Sequence, residues 1–193
     1  MHYPRSFVVR TAASTALLTL AFAATGAEHA PATHQALGRD LLRELIGIDT
    51  TPDHGNTTAA AEQLAKRFLA AGFDPADVHV LGDNPLKRNL VVRLRGKGER
   101  EPILLLAHLD VVEAKREDWN VDPFVLTEKD GYFYGRGTSD NKAGAAGLVA
   151  TLLRLSEEAF VPRGDYVLAL TAGEEDGGDN GVQWLLANRP ELI

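Results

Sequence analysis

Residues 103–112 read ILLLAHLDVV, and they are the strongest indication of the fold class. The run 103–107 is short and apolar, which is typical of a strand. His108 and Asp110 follow it, at the sheet edge where ligands collect in α/β proteins. Two positions apart in an extended chain, both side chains point to one face. The carboxylate can therefore accept a hydrogen bond from one imidazole nitrogen while the other meets a metal. An isolated His-x-Asp is also common where a histidine ends a strand and an aspartate begins a turn.

Helices and apolar strands alternate on either side of this stretch. Helices are predicted at residues 35–48, 57–72, 141–159 and 182–190, and strands at 78–81, 89–96, 102–110 and 165–172. Thr57 or Thr58 is expected to cap the second helix and Gly72 to end it, while Asp130-Gly131 predicts a hairpin turn. The sequence thus predicts an α/β domain with a largely parallel sheet, flanked by helices on both faces.

The first 23 residues have the order of a secretory signal. Arg5 and Arg10 precede an uncharged segment, 11–23, that ends in a small-x-small cleavage pattern. This segment is shorter than the roughly 20 residues of a membrane span, so no stable membrane span is expected. We predict a signal peptide at 1–23, a linker at 24–34 and a periplasmic or secreted protein. An uncleaved anchor or a disordered extension is the alternative.

Charge and composition exclude several classes of protein. The formal net charge of −7, without a basic cluster, argues against nucleic acid as a partner. The chain has no cysteine, so disulfides and thiolate ligands are excluded. Any metal must be held by histidine and carboxylates.

Two further clusters carry acidic residues beside predicted elements. Asp140 lies at the start of the helix 141–159, where it could equally be a capping residue. Glu174 and Glu175 follow the strand 165–172, and adjacent carboxylates are unfavourable unless a cation neutralises them. A solvated acidic turn is the alternative. With His108, these residues predict a His/carboxylate metal site at one sheet edge, and two ions there would suit hydrolysis.

The sequence resembles the di-zinc hydrolase family of glutamate carboxypeptidases, aminoacylases, succinyl-diaminopimelate desuccinylase and tripeptide aminopeptidase. The resemblance covers residues 35–193 and rests on LLLAHLDVV, on DPF followed by DGYFYGRGTSDNKAG, and on TAGEED. It implies a zinc-exopeptidase-like catalytic domain with two Zn²⁺ ions, or alternatively Co²⁺ or Mn²⁺. It also implies hydrolysis of small peptides or N-acyl-amino acids.

The resemblance assigns a role to each candidate residue. His108 would bind one ion, Asp140 would bridge both, and Glu175 would bind the second. Glu174 would be the general base and Asp110 would orient His108. The peptide bond after Asp140 is expected to be cis.

The sequence departs from the family pattern after residue 176. The family has a further carboxylate ligand, a late histidine and an inserted lid or dimerisation domain, whereas no histidine follows His108 here. We therefore expect residues 35–193 to be the N-terminal part of a catalytic domain, incomplete at the C-terminus. Activity, and a homodimer, would belong to a longer parent protein. The alternative is an inactive fragment that acts at most as a metal-binding or interaction module.

Overall fold

The computed structural model describes residues 31–193, so the signal peptide predicted at 1–23 lies outside the described residues. The helices are α1 Ala32–Ile46, α2 Thr57–Ala70, α3 Lys142–Glu157 and α4 Gly181–Asn188. The strands are β1 Val78–Leu81, β2 Asn89–Leu94, β3 Ile103–His108, β4 Thr127–Lys129, β5 Tyr132–Tyr134 and β6 Tyr166–Thr171. Each predicted helix and strand is present, although α1 begins within the predicted linker. Within residues 31–193, none of the helices combines the length and the hydrophobicity that a membrane span requires.

The main sheet has the strand order β1-β2-β6-β3 and is mixed. Only β3 and β6 run parallel, while β1 with β2 and β2 with β6 are antiparallel. The prediction of a largely parallel sheet was therefore wrong. The short connection 82–88 can join β1 to β2 only as antiparallel neighbours, because a parallel connection needs a crossover of a dozen or more residues. Such a crossover, through the hairpin and α3, does join β3 to β6.

Helices cover both faces of this sheet, as predicted. Leu90, Leu168 and Leu170 belong to a large core cluster with side chains of α1, α2 and α3. The alternate residues Val91 and Val167 pack with Leu185 of α4. This alternation is the period of two that a strand imposes on its side chains.

The strand β3 lies at one end of the sheet among the described residues. Its side chains Ile103, Leu104 and Leu106 are 53%, 45% and 49% exposed. Ala107 and His108, at the carboxyl end of the same strand, are buried. Most side chains of β3 are therefore partly exposed to solvent, whereas its last two residues, where the candidate site begins, are buried.

Two local predictions concern caps and turns. Asn56, rather than Thr57 or Thr58, caps α2, because its side-chain oxygen accepts the Ala59 N–H at 2.9 Å. The Asp130-Gly131 turn is confirmed between β4 and β5, and both residues have positive φ, 54° and 80°. Such a pair is the signature of a tight hairpin turn.

Candidate metal centre

The parallel pair β3 and β6 brings two candidate segments to one edge of the sheet. His108 is the last residue of β3 and lies opposite Thr171, the last residue of β6. The loop after β6 carries Glu174 and Glu175, and Asp140 precedes α3. The predicted residues therefore converge, although they are separated by up to 67 positions in the sequence.

His108 lies between oxygen atoms on both sides of its ring. Its Nδ1 is 3.0 Å from the backbone oxygen of Asp110, and its Nε2 is 3.0 Å from Oδ1 of Asp140. Oε2 of Glu174 is 4.0 Å from the same Nε2. One ring nitrogen thus faces the main chain and the other faces carboxylates.

Asp110 differs in one contact from the sequence-based expectation. Its Oδ1 lies 3.7 Å from His108 Nδ1, so the imidazole contacts the Asp110 backbone oxygen instead of the carboxylate. The other carboxylate oxygen is already engaged, since it accepts the Glu175 N–H at 2.8 Å. The buried Asp110 Oδ1 has no hydrogen-bond partner.

Glu174 and Glu175 complete the cluster. One possible ligand atom from each of His108, Glu174 and Glu175 lies within 4.8 Å of the others. The pKa of Glu175 is raised, first by burial and then by the negative charges of Asp140 and Glu174. The neighbouring carboxylates therefore repel one another, as the sequence predicts.

The loop between β6 and α4 is held at several points that the sequence did not reveal. The Gly181 N–H donates to the Ala172 oxygen at 2.8 Å and closes the base of the loop. Asn84 donates to Asp179 at 2.6 Å, and Lys87 donates to Asp176 at 2.5 Å. No local sequence pattern indicates either contact, because the paired residues are far apart in the chain.

A buried lysine lies two positions after Asp140 in the sequence. The Asp140-Asn141 peptide bond is cis, as the resemblance implied. Lys142 follows it and is fully buried, and its Nζ donates to the backbone oxygens of Leu45 and Ile48 at 2.8 and 2.7 Å. Burial lowers the pKa of Lys142 to about 8. The side chain therefore joins the start of α3 to the end of α1 and does not line the cleft.

The donor set fits a cation such as zinc. A neutral imidazole carries one N–H, and with Nδ1 toward a backbone oxygen, the Nε2 lone pair faces the Asp140 carboxylate. A cation between these atoms relieves that repulsion. Imidazole nitrogen and carboxylate oxygen are ordinary zinc ligands.

A mixed α/β sheet with a His/carboxylate cluster at the carboxyl end of its parallel strands is an arrangement that can hold a metal ion. Residues 104–192 match the family model "Peptidase family M20/M25/M40". Over this segment, slightly less than half of the chain, the protein is similar to that family.

Curated relatives agree with this similarity. A probable succinyl-diaminopimelate desuccinylase of Staphylococcus aureus (strain Mu50) is 45% identical over 112 residues, which are 56% of this chain and 27% of the relative. The N-fatty-acyl-amino acid synthase/hydrolase PM20D1 of Bos taurus is 42% identical over 157 residues, which are 77% of this chain and 30% of the relative. The chain thus spans less than a third of the length of these relatives.

Solved structures share the fold. Human carnosine dipeptidase 1 matches with a TM-score of 0.70 and 22% identity, over 83% of this chain and 36% of that protein. An M20 family metallo-carboxypeptidase from Sulfolobus solfataricus matches with a TM-score of 0.67 and 19% identity, over 81% and 35%. At these identities the matches concern the fold alone.

Proposed function

We propose that the protein is a zinc-dependent hydrolase of amide bonds in small peptides or N-acyl-amino acids. The observation that carries the proposal is the convergence of His108, Asp140, Glu174 and Glu175 at one edge of the sheet. The names of the relatives, a desuccinylase and an N-fatty-acyl-amino acid synthase/hydrolase, support an amide substrate. Cobalt or manganese could replace zinc at oxygen-rich ligands.

The residues have separate roles in this proposal. His108 and Asp140 would hold one ion, and Asp140 and Glu175 the other. When bound, two such ions polarise a carbonyl and lower the pKa of a water. The Asp110 carboxylate accepts the Glu175 N–H and so holds the main chain at Glu175 in place. The backbone oxygen of Asp110 contacts Nδ1 of His108 and so orients the imidazole.

Glu174 is the proposed general base. Its side chain is 58% exposed and lies 4.0 Å from His108, so it can reach a water molecule in the cleft. It would take a proton from the attacking water and deliver it to the leaving amine. The adjacent residues Glu174 and Glu175 thus have separate roles, one as the base and the other as a metal ligand.

Hydrolysis by the zinc-treated protein, assayed as the whole protein beside the 193-residue chain, tests this proposal. A panel of dipeptides and N-acyl-amino acids is compared for the wild type, Glu174→Gln, and Glu117→Gln at an exposed turn. Loss of the base should lower turnover by roughly 100- to 10,000-fold, while Glu117→Gln keeps wild-type activity. Turnover that is independent of zinc, or equal in Glu174→Gln and the wild type, would contradict it.

We further propose export to the periplasm or the medium, and a homodimer of the whole protein. A fusion of residues 1–30 to a reporter enzyme tests export, since the reporter should appear outside the cytoplasm. Retention of the reporter in the cytoplasm would contradict a signal peptide.

A metal-binding or interaction module is the second candidate. The half-exposed Leu104 and Leu106 of β3 favour it, because an uncovered strand invites pairing with another chain. Zinc binding and self-association without turnover across the panel would support this candidate over the enzyme.

A further inference from the structure

A cavity of about 340 Å³ lies beside the candidate metal centre. Asp140 and Glu175 line it together with Val112, Trp119 and Arg136. A substrate carbonyl at the metal centre would therefore place a neighbouring part of the substrate in this cavity. The volume is at the lower end of the roughly 300–1,000 Å³ of ligand pockets, which suits one short acyl group or side chain.

Arg136 is held in place within this cavity. Its backbone N–H donates to the Pro123 oxygen at 2.7 Å, and its Nη2 donates to the Glu113 oxygen at 3.2 Å. The guanidinium carbon lies 5.1 Å from the centre of the Trp119 ring, within the range of a cation–π contact. The side chain is thus oriented before any ligand arrives, which lowers the entropic cost of binding.

The guanidinium has no acidic partner among residues 31–193. Its one side-chain hydrogen bond goes to a backbone oxygen, and its Nε has no partner. The other charged residues of the cavity are Asp140 and Glu175, which the proposed ions would neutralise. Arg136 would then be the uncompensated charge of the cavity wall.

We propose that Arg136 binds a carboxylate of the substrate while Trp119 supports the guanidinium. A guanidinium presents several N–H donors in a planar fork that matches a carboxylate. The carboxylate has two chemical sources, the α-carboxylate of the amino acid and a terminal carboxylate on the acyl group. This inference rests on the proposed function and adds a specificity-determining residue to it.

Three compounds distinguish these sources. N-butanoyl-alaninamide has no carboxylate, N-butanoyl-alanine has one on the amine side, and N-succinyl-alaninamide has one on the acyl side. Binding is followed by the fluorescence of Trp119 in the full chain with Trp184→Phe, which removes the second of the two tryptophans. Glu174→Gln is added so that the proposed base does not consume the ligands.

One of the two acids should bind at least about tenfold tighter than the neutral compound. A charge-assisted hydrogen bond corresponds to roughly a 10- to 150-fold change in affinity. Arg136→Met should abolish that preference without changing the affinity for N-butanoyl-alaninamide, and Arg136→Lys should keep part of it. The acid that shows the effect identifies the carboxylate.

The titrations are made on zinc-loaded and metal-free protein, and calorimetry records zinc binding separately. Absence of zinc binding counts against the proposed function. In that case the fluorescence titrations of the metal-free chain still test whether Arg136 binds a carboxylate. The inference is overturned if the protein that retains Arg136 shows no preference for a carboxylate, whether zinc-loaded or metal-free. It is also overturned if Arg136→Met retains the preference, or weakens all three compounds equally.

Discussion

Replacing Lys142 with methionine should change how the stability of the fold depends on pH between 8 and 10.5. The lysine is fully buried, and burial lowers its pKa from 10.5 to about 8 in the folded chain. Methionine has a similar length and no charge. The substitution therefore removes the titration with little change in side-chain volume.

The lowered pKa of Lys142 determines whether the free energy of unfolding rises or falls with pH. Below pH 8 the lysine is charged in both the folded and the unfolded chain, so the folded state bears the full cost of burying an ammonium. Between pH 8 and 10.5 the folded chain loses the proton first, and the free energy of unfolding rises. At about 1.4 kcal/mol per pH unit, the lowered pKa corresponds to a gain of about 3 kcal/mol. A neutral amine can still donate to the Leu45 and Ile48 oxygens, so these contacts persist.

Urea unfolding between pH 7 and 10.5 measures this effect. The free energy of unfolding of the wild type, relative to Lys142→Met, should rise by about 3 kcal/mol across this range. Lys66→Met, at an exposed position on α2, controls for the loss of one lysine. A difference between wild type and Lys142→Met that stays constant with pH would refute a buried ammonium.

The other predictions concern Asp165, which precedes β6, and the loop between β6 and α4. Asp165 has a lowered pKa, first through the Gly96 N–H and then through Arg93, so its contribution is present above pH 3.8 and is lost as the pH falls through its folded value. Asp165→Asn should cost about 1.5–3 kcal/mol at pH 7 in urea unfolding and progressively less in acid; a pH-independent cost would contradict this. Lys87→Met should weaken zinc binding in calorimetry by releasing the loop that carries Asp176. Adding Asp176→Asn should weaken binding no further, because both changes remove the same contact; unchanged affinity in Lys87→Met would argue against a role of this ion pair. Gly173→Ala places a Cβ 2.3 Å from a backbone oxygen at φ +69°, so thermal unfolding should show a loss above about 2 kcal/mol, and wild-type stability would exclude that strain.

Most elements of the fold could be predicted because hydrophobic spacing and turn residues are local signals. The strand at 165–172 was recognised from an unbroken apolar run, and the hairpin from Asp130-Gly131. Strand direction could not be obtained this way, since a strand buried on both faces looks the same in either orientation. The short connection 82–88 was the available signal for the antiparallel pair β1 and β2.

The candidate site was predictable to a similar degree. His108 and the two glutamates follow apolar strands, and such positions converge when the strands are parallel neighbours. The burial of Lys142 was not predictable, because a lysine at a helix start is usually exposed. The pairing of Lys87 with Asp176 joins residues 89 positions apart, and no local pattern reports such a contact.

Zinc binding by the full chain, followed by calorimetry beside Asp140→Asn, probes the proposed metal centre most directly. The Asp140 side chain is 73% exposed, so the substitution should leave the fold intact. We predict that the wild type binds zinc, that Asp140→Asn weakens binding by more than about tenfold, and that Asp118→Asn at an exposed turn does not. No zinc binding by the wild type, or equal affinity in Asp140→Asn, would contradict a metal centre at this edge of the sheet.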